Sequence, residues 1–223
     1  MRILLIHTAG AEGSVALADT EIVPAIVAME VLPGRSSSER LVPAVRRLLA
    51  AREWRLNELA AVAVVHGPGS FTGVRVGLGA AKGLSEAGGV PLIAVSRLAL
   101  LAGCVEGGEG PVHAVLDAGR GEFYYGEYVG GHLVRETLLS HGDVLAAAAA
   151  GGVVVVCEVK VAEALTALGP RMLSEPSAGD ALRIALERIA VKDFDDAAMV
   201  DANYLRRSDG EIFAKPAVER AGR

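Results

Sequence analysis

The run from His66 to Gly83, HGPGSFTGVRVGLGAAKG, constrains the chain more than any other segment. The preceding Ala61 to Val65, AVAVV, reads as a buried strand, and Gly67, Pro68 and Gly69 turn the chain sharply into a helix that Ser70 or Thr72 can cap. Such a junction presents unpaired backbone N–H groups at the positive end of a helix dipole, a place suited to phosphate or carboxylate. Thr8, Gly69, Ser70, Thr72 and Arg75 are the candidate residues for an anion or nucleotide there. The loop is not a Walker A motif, because Gly73 is followed by Val74 and Arg75 where a Lys-Ser/Thr pair is required.

The helix itself holds Gly73, Gly77, Gly79, Ala80, Ala81 and Gly83. Each interior glycine costs about 1 kcal/mol relative to alanine, so packing has to compensate. Small residues three and four apart share a face and admit a neighbour at close range. That neighbour is either the protein's own sheet or helices, or another protein docked from outside. An earlier helix, Ser38 to Ala51, sets Leu41, Val45, Leu48 and Leu49 on one stripe with Arg40, Arg46, Arg47 and Arg52 largely off it, the pattern of one buried and one wet face.

A chain of 223 residues, 52% of them hydrophobic, can bury a substantial core in one large domain or two small ones. Its longest apolar run, Val144 to Cys157, is split by Gly151 and Gly152, so no membrane span is expected. Only Arg2 precedes ILLI, with no small-residue cleavage site after it, and the expectation is a cytoplasmic protein. Cys104 and Cys157 stand far apart outside any CxxC, which argues against a disulfide framework or zinc knuckle. With 22 basic against 27 acidic residues, a formal charge of −5 and no long basic run, the composition argues against primary affinity for a nucleic-acid backbone. Arg206, Arg207, Lys215, Arg220 and Arg223 make the tail mildly basic, interleaved with Asp209, Glu211 and Glu219.

Coarsely, strands at Ile3–Ile6, Ser14–Ala18 and Ile22–Val31 precede the Ser38 helix. The strand before His66, the glycine helix, a strand at Leu92–Val95 and a helix opening near Ser96 follow, giving a mixed α/β layer. Glu106, Gly107, Gly108, Glu109 and Gly110 make a linker candidate between Gly103 and Pro111. The pattern then restarts with strands at Val112–Leu116, Glu122–Val129 and near His132–Thr137. Ala118-Gly119 sits where Ala9-Gly10 sat, a hint of duplication. A strand at Val153–Val156 and a helix at Asp180–Ala190 complete the second half.

His7, His66 and Asp117 end three of these strands and would converge on one cleft if the strands align, forming a metal site or an acid–base pair. The plainer alternative is that each ends a strand and bonds to backbone or water. His113, His132 and His141 show no HxxxH or HExxH spacing. In Gly69-Ser70-Phe71-Thr72-Gly73 the serine directly follows the glycine, so the spacing of a serine-hydrolase elbow is absent.

Gly67-Pro68-Gly69-Ser70-Phe71-Thr72-Gly73-Val74-Arg75-Val76-Gly77 resembles the signature of the TsaB (YeaZ) family of tRNA threonylcarbamoyladenosine biosynthesis. Arg2–Leu17, Ser38-Glu39-Arg40-Leu41-Val42-Pro43 and Val90–Leu98 are similar to the family's opening hairpin, first helix and post-glycine segment. Val115–Tyr124 and Asn203–Arg207 are shorter matches. The resemblance implies two linked actin-like (ribonuclease H-like) domains of the acetate kinase–sugar kinase–Hsp70–actin superfamily, 1–104 and 105–223, the second degenerate. It further implies a non-catalytic subunit that pairs with and activates a TsaD-type catalytic subunit, joined by a TsaE-type ATPase, with homodimerisation through the same helices as a further pairing. Contact with tRNA would be indirect. No tightly bound cofactor or metal is expected, with ATP or ADP only in the assembled complex. Members of the family usually open with Asp-Thr-Ser where this chain has His7-Thr8-Ala9, which removes a carboxylate of the kind Mg²⁺ prefers. The two helices form the family's pairing surface, and the expected contact residues are Ser38, Leu41, Val45 and Leu48 with Val74, Gly77, Leu78 and Ala81. On that basis Gly77→Leu should weaken assembly and leave the monomer folded. The alternative function is a nucleotide- or metal-binding enzyme, peptidase-like or kinase-like, working at His7, His66 and Asp117.

Overall fold

A computed structural model describes residues 1–105 and 110–205 of the chain. Two five-stranded sheets carry the fold. The first contains β1 (Arg2–His7), β2 (Gly13–Asp19), β3 (Ile26–Leu32), β4 (Ala61–Val65) and β5 (Leu92–Val95) in the order β3-β2-β1-β4-β5. β1, β2 and β3 form an antiparallel meander, and β4 and β5 add in parallel. The second contains β6 (Pro111–Gly119), β7 (Glu122–Val129), β8 (His132–Ser140), β9 (Val153–Val156) and β10 (Arg171–Met172) in the order β10-β9-β6-β7-β8. Read from its other edge this is the same succession, so the duplication hinted at by two dipeptides holds for a whole sheet. The architecture is mixed α/β with two actin-like halves. The second is reduced on its parallel side, where β9 and β10 have four and two residues.

Among the described residues six α-helices cover the sheets: α1 (Ser37–Ala51), α2 (Phe71–Gly88), α3 (Arg97–Gly103), α4 (His141–Ala148), α5 (Val159–Ala164) and α6 (Leu182–Ala190). The continuous apolar runs of β1 and β4 lie buried at the centre of the first sheet, as strands covered on both faces require. Leu41, Ala44 and Val45 of α1 and Val74, Leu78 and Ala81 of α2 pack on that sheet. So do Ala178, Ala181, Ala185 and Ala202 from the far end of the chain. A division at 104/105 therefore separates the sheets, but the C-terminal segment crosses back to finish the first core. The second sheet is packed by two smaller clusters, one around Val115, Tyr125 and Val156, the other where Leu98 and Leu101 of α3 meet Leu116 and Tyr128.

Several boundaries differ from the sequence reading. The expected strand from Ile22 begins at Ile26, because the Asp19 N–H bonds to the Ala25 carbonyl and Pro24 has no N–H for a ladder. A 3-10 turn at Ala178–Ala181 precedes α6, and α4, α5 and β10 were not anticipated. Glu106 to Glu109 of the linker candidate, and the basic residues Arg206, Arg207, Lys215, Arg220 and Arg223, lie outside the described residues. Among the described residues no helix is long and apolar enough to cross a membrane.

Candidate functional site

The glycine loop is pinned to the tip of the β1–β2 hairpin. The Ser70 N–H donates to the Ala9 carbonyl at 2.8 Å. A Cβ on Gly69 would fall 2.1 Å from that same oxygen, so only glycine permits the approach. Ser70, not Thr72, caps α2, its hydroxyl accepting from the Gly73 N–H at 3.2 Å. Thr8 closes the junction from the other side by donating its hydroxyl to the Gly73 carbonyl at 2.7 Å.

Four of the five helix glycines fall into two pairs, Gly88 standing apart against Leu56. A Cβ on Gly73 would sit 2.0 Å from the Thr8 carbonyl oxygen, and one on Gly77 2.2 Å from the Thr8 hydroxyl. These two serve the protein's own packing. Gly79 and Gly83 are exposed, and a Cβ on either would meet nothing within 4 Å.

This corrects the expected contact set. Leu41, Val45, Val74, Leu78 and Ala81 are no more than 5% exposed and Gly77 is buried, because their stripes face the first sheet. Of that set only Ser38 is exposed, and Leu48 is half-buried. Gly77→Leu would therefore strike Thr8 inside the monomer. The outward side of α1 and α2, which pack beside each other, instead carries Val42, Arg46, Phe71, Arg75, Gly79 and Gly83. Phe71 is 55% and Val42 46% exposed.

A cavity of about 340 Å³ opens where the first turns of α1 and α2 meet the hairpin tip, lined by Thr8, Gly10, Ala11, Gly34, Ser37, Ser38, Ser70, Phe71, Thr72, Gly73 and Val76. It gathers three of the five residues expected to face an anion, Thr8, Ser70 and Thr72. Gly69 is turned onto Ala9, and Arg75 is drawn away, its guanidinium lying 3.6 Å over the Phe71 ring and donating through Nε to the Tyr204 hydroxyl at 2.7 Å.

His7, His66 and Asp117 do not assemble. The His66 Nδ1 bonds to the Asp201 carbonyl at 3.0 Å, while the Asp117 carboxylate accepts from Lys160 and its backbone N–H donates to Glu158 at 2.7 Å. His7 is fully buried and neither ring nitrogen has a hydrogen-bond partner among the described residues. Burial first, and the Arg97 charge second, bring its pKa down to about 3, so the ring is neutral. Among the described residues no group of three His, Cys, Asp or Glu is placed to hold a metal. Sequence reasoning missed what lies here: Arg97, 3% exposed, pairs with Glu175 at 2.5 Å and Glu158 at 3.5 Å. The Glu175 carboxylate lies where a Cβ on Gly10 would be. Beside this cluster, burial pushes the Cys157 thiol up to about 12. An arginine one residue into a helix after a strand gave the only signal, and nothing in the sequence pointed to its partners.

The model of the family described as TsaD, tRNA N6-adenosine threonylcarbamoyltransferase, matches residues 22–158. The chain is 41% identical over 130 residues to the Escherichia coli tRNA threonylcarbamoyladenosine biosynthesis protein TsaB, covering 57% of this chain and 55% of that protein. It is 36% identical over 130 residues to the Bacillus subtilis protein of the same name, with the same shares covered. A Pseudomonas aeruginosa crystal structure, described as an uncharacterized protein with similarity to peptidase YEAZ, superposes with a TM-score of 0.76 at 30% identity, over 92% of this chain and 99% of that one. The chain belongs to the TsaB (YeaZ) family. It spans about half the length of the curated TsaB relatives it matches, whereas the superposition on the Pseudomonas structure takes in nearly all of that fold.

Proposed function

We propose that the chain works in tRNA threonylcarbamoyladenosine biosynthesis as a non-catalytic subunit, pairing through the outward side of α1 and α2 with a TsaD-type transferase and activating it. The observation that carries the reading is Gly79 and Gly83. Each costs α2 about 1 kcal/mol relative to alanine, and no contact within the described residues requires either. A helix from another protein, packing closely over them, supplies the missing reason. The non-catalytic part rests on the His7 side, where the ring is enclosed and held neutral by burial and by the charge of Arg97, itself paired with Glu158 and Glu175. A TsaE-type ATPase joins the pair in this reading, and tRNA is contacted through the partner. ATP or ADP is held only in the assembled complex, the setting is cytoplasmic, and homodimerisation competes for the same helices.

Size-exclusion chromatography with light scattering, on this chain mixed with the TsaD-type protein of the same organism, tests it. A 1:1 species is expected, with transfer to tRNA only when both are present, and Gly83→Leu should abolish that species while the variant elutes as a folded monomer. An unchanged complex in Gly83→Leu and Gly79→Leu would remove this face from the proposal.

A further inference from the structure

Phe71, Arg75, Gly79 and Gly83 follow one another along α2 at intervals of four and so share one face, with the arginine one turn before the open glycines. We propose that Arg75 is the recognition residue of this face and takes a carboxylate of the TsaD-type partner. The inference rests on the pairing proposed above and adds what the partner has to bring to it. Arg75 is held between two rings: its guanidinium lies 3.6 Å over the Phe71 ring and 5.6 Å from the Tyr204 ring, and its Nε donates to the Tyr204 hydroxyl at 2.7 Å. Tyr204 is brought there by its neighbour Asn203, whose backbone N–H donates to the His66 carbonyl at 2.8 Å and whose side-chain amide donates to Glu136 at 2.6 Å. Nε is thus used, and among the described residues the two Nη groups meet no carboxylate and no other acceptor. A helix packed closely over Gly79 and Gly83 also covers Arg75. Covering strips the guanidinium of water, and a buried charge left without a counter-charge is strongly unfavourable. The outward side of α1 and α2 offers none, since Val42, Arg46, Phe71, Arg75, Gly79 and Gly83 include two cations and no acid. The partner therefore supplies it. A stacked arginine with both Nη groups free presents a planar fork that a carboxylate meets with two parallel hydrogen bonds. Arginine beside aromatic rings is also the composition that dominates binding energy at protein interfaces.

Surface plasmon resonance against the TsaD-type protein of the same organism tests this on the full chain as wild type, Arg75→Gln, Tyr204→Phe and the double variant. Arg75→Gln, at an exposed position, should melt as the wild type does and raise the dissociation constant about thirtyfold, mostly through faster dissociation. Raising sodium chloride from about 0.1 to about 0.5 M should weaken the wild-type complex more than that of Arg75→Gln. Tyr204→Phe keeps the ring and loses the bond to Nε. It should weaken binding severalfold beside Arg75 and leave it unchanged once Arg75 is glutamine, because it acts only by positioning that side chain. A wild-type complex whose dissociation constant is unchanged in Arg75→Gln, or whose salt dependence is the same in both, overturns this inference and leaves the pairing standing. Failure of the wild type to bind overturns both. An Arg75→Gln variant that spares the mixed complex but weakens self-association of the chain in sedimentation assigns the carboxylate to a second copy, where the exposed Glu86 of α2 is available, and also overturns the proposal.

Discussion

Gly73 and Gly77 stand against the tip of the first hairpin, where a single added carbon would meet a backbone oxygen or the Thr8 hydroxyl at 2.0 and 2.2 Å. Gly79 and Gly83, further along the same helix, stand against open space. One residue type thus answers two different demands within one helix. The first pair lets the loop, the hairpin and the helix close on one another, and the second keeps a surface low. The difference shows that glycine spacing alone does not say which way a small-residue stripe faces. The direction is set by what the neighbouring elements have already filled.

Breaking the inner pair should have the largest effect. Gly77→Leu is expected to cost at least about 3 kcal/mol, at the upper end of overpacking penalties, because the leucine must displace Thr8 and with it the bond to the Gly73 carbonyl. A urea unfolding curve reads this directly, and a midpoint equal to wild type would deny that the inner face is closed.

The same hairpin gives the next effect through pH. His7 titrates near 3 when folded against about 6.5 when unfolded, so between those values the unfolded chain binds the extra proton. Its contribution is fully present above pH 6.5 and is lost as the pH falls towards 3, by about 2 kcal/mol at pH 5. Unfolding free energies of wild type and His7→Leu, measured from pH 7.5 to 4.5, should diverge in slope over this window. Parallel profiles would mean that the ring is not held neutral.

Ser70→Ala removes the cap of α2 and should lower stability by about 1 kcal/mol, visible as a reduced melting temperature. The smallest effect has the opposite sign and sharpens the contrast most. Gly79→Ala and Gly83→Ala should each stabilise the isolated chain by about 0.5 to 1 kcal/mol, since the methyl meets open space and alanine favours the helix. A loss of stability in either would show that the outer glycines have a role inside the monomer.

Short apolar strands bounded by turns were legible to the residue, as Ala61–Val65, Leu92–Val95 and Val153–Val156 match their observed limits, and so was the aromatic-rich Glu122–Val129 between its glycine turns. The inward stripe of α1 was legible too, through its period. The facing of α2 was not, because a helix of alanine, glycine and valine has little contrast between its sides. α4 was hidden because its alanines and valine give little contrast between its sides and only Gly151 and Gly152 part them from the apolar run of β9. Of the pocket, the α2 half with Thr8 could be read from the glycine loop. Ser37 and Ser38 could not, since their place beside it depends on how α1 packs against α2. Arg97 and its two glutamates come from separate stretches of chain, and only the folded arrangement joins them.

The return of Ala178, Ala181, Ala185 and Ala202 to the first sheet bears on how the chain is born. As it leaves the ribosome, the first sheet is complete in its strands long before the wall that covers one side of it exists. The second sheet, whose strands β6 to β10 follow one another along the chain between the first sheet and that wall, is finished in the interval. The half made first is therefore the half sealed last, and its exposed apolar surface must be kept from other chains until nearly the whole protein has been synthesised.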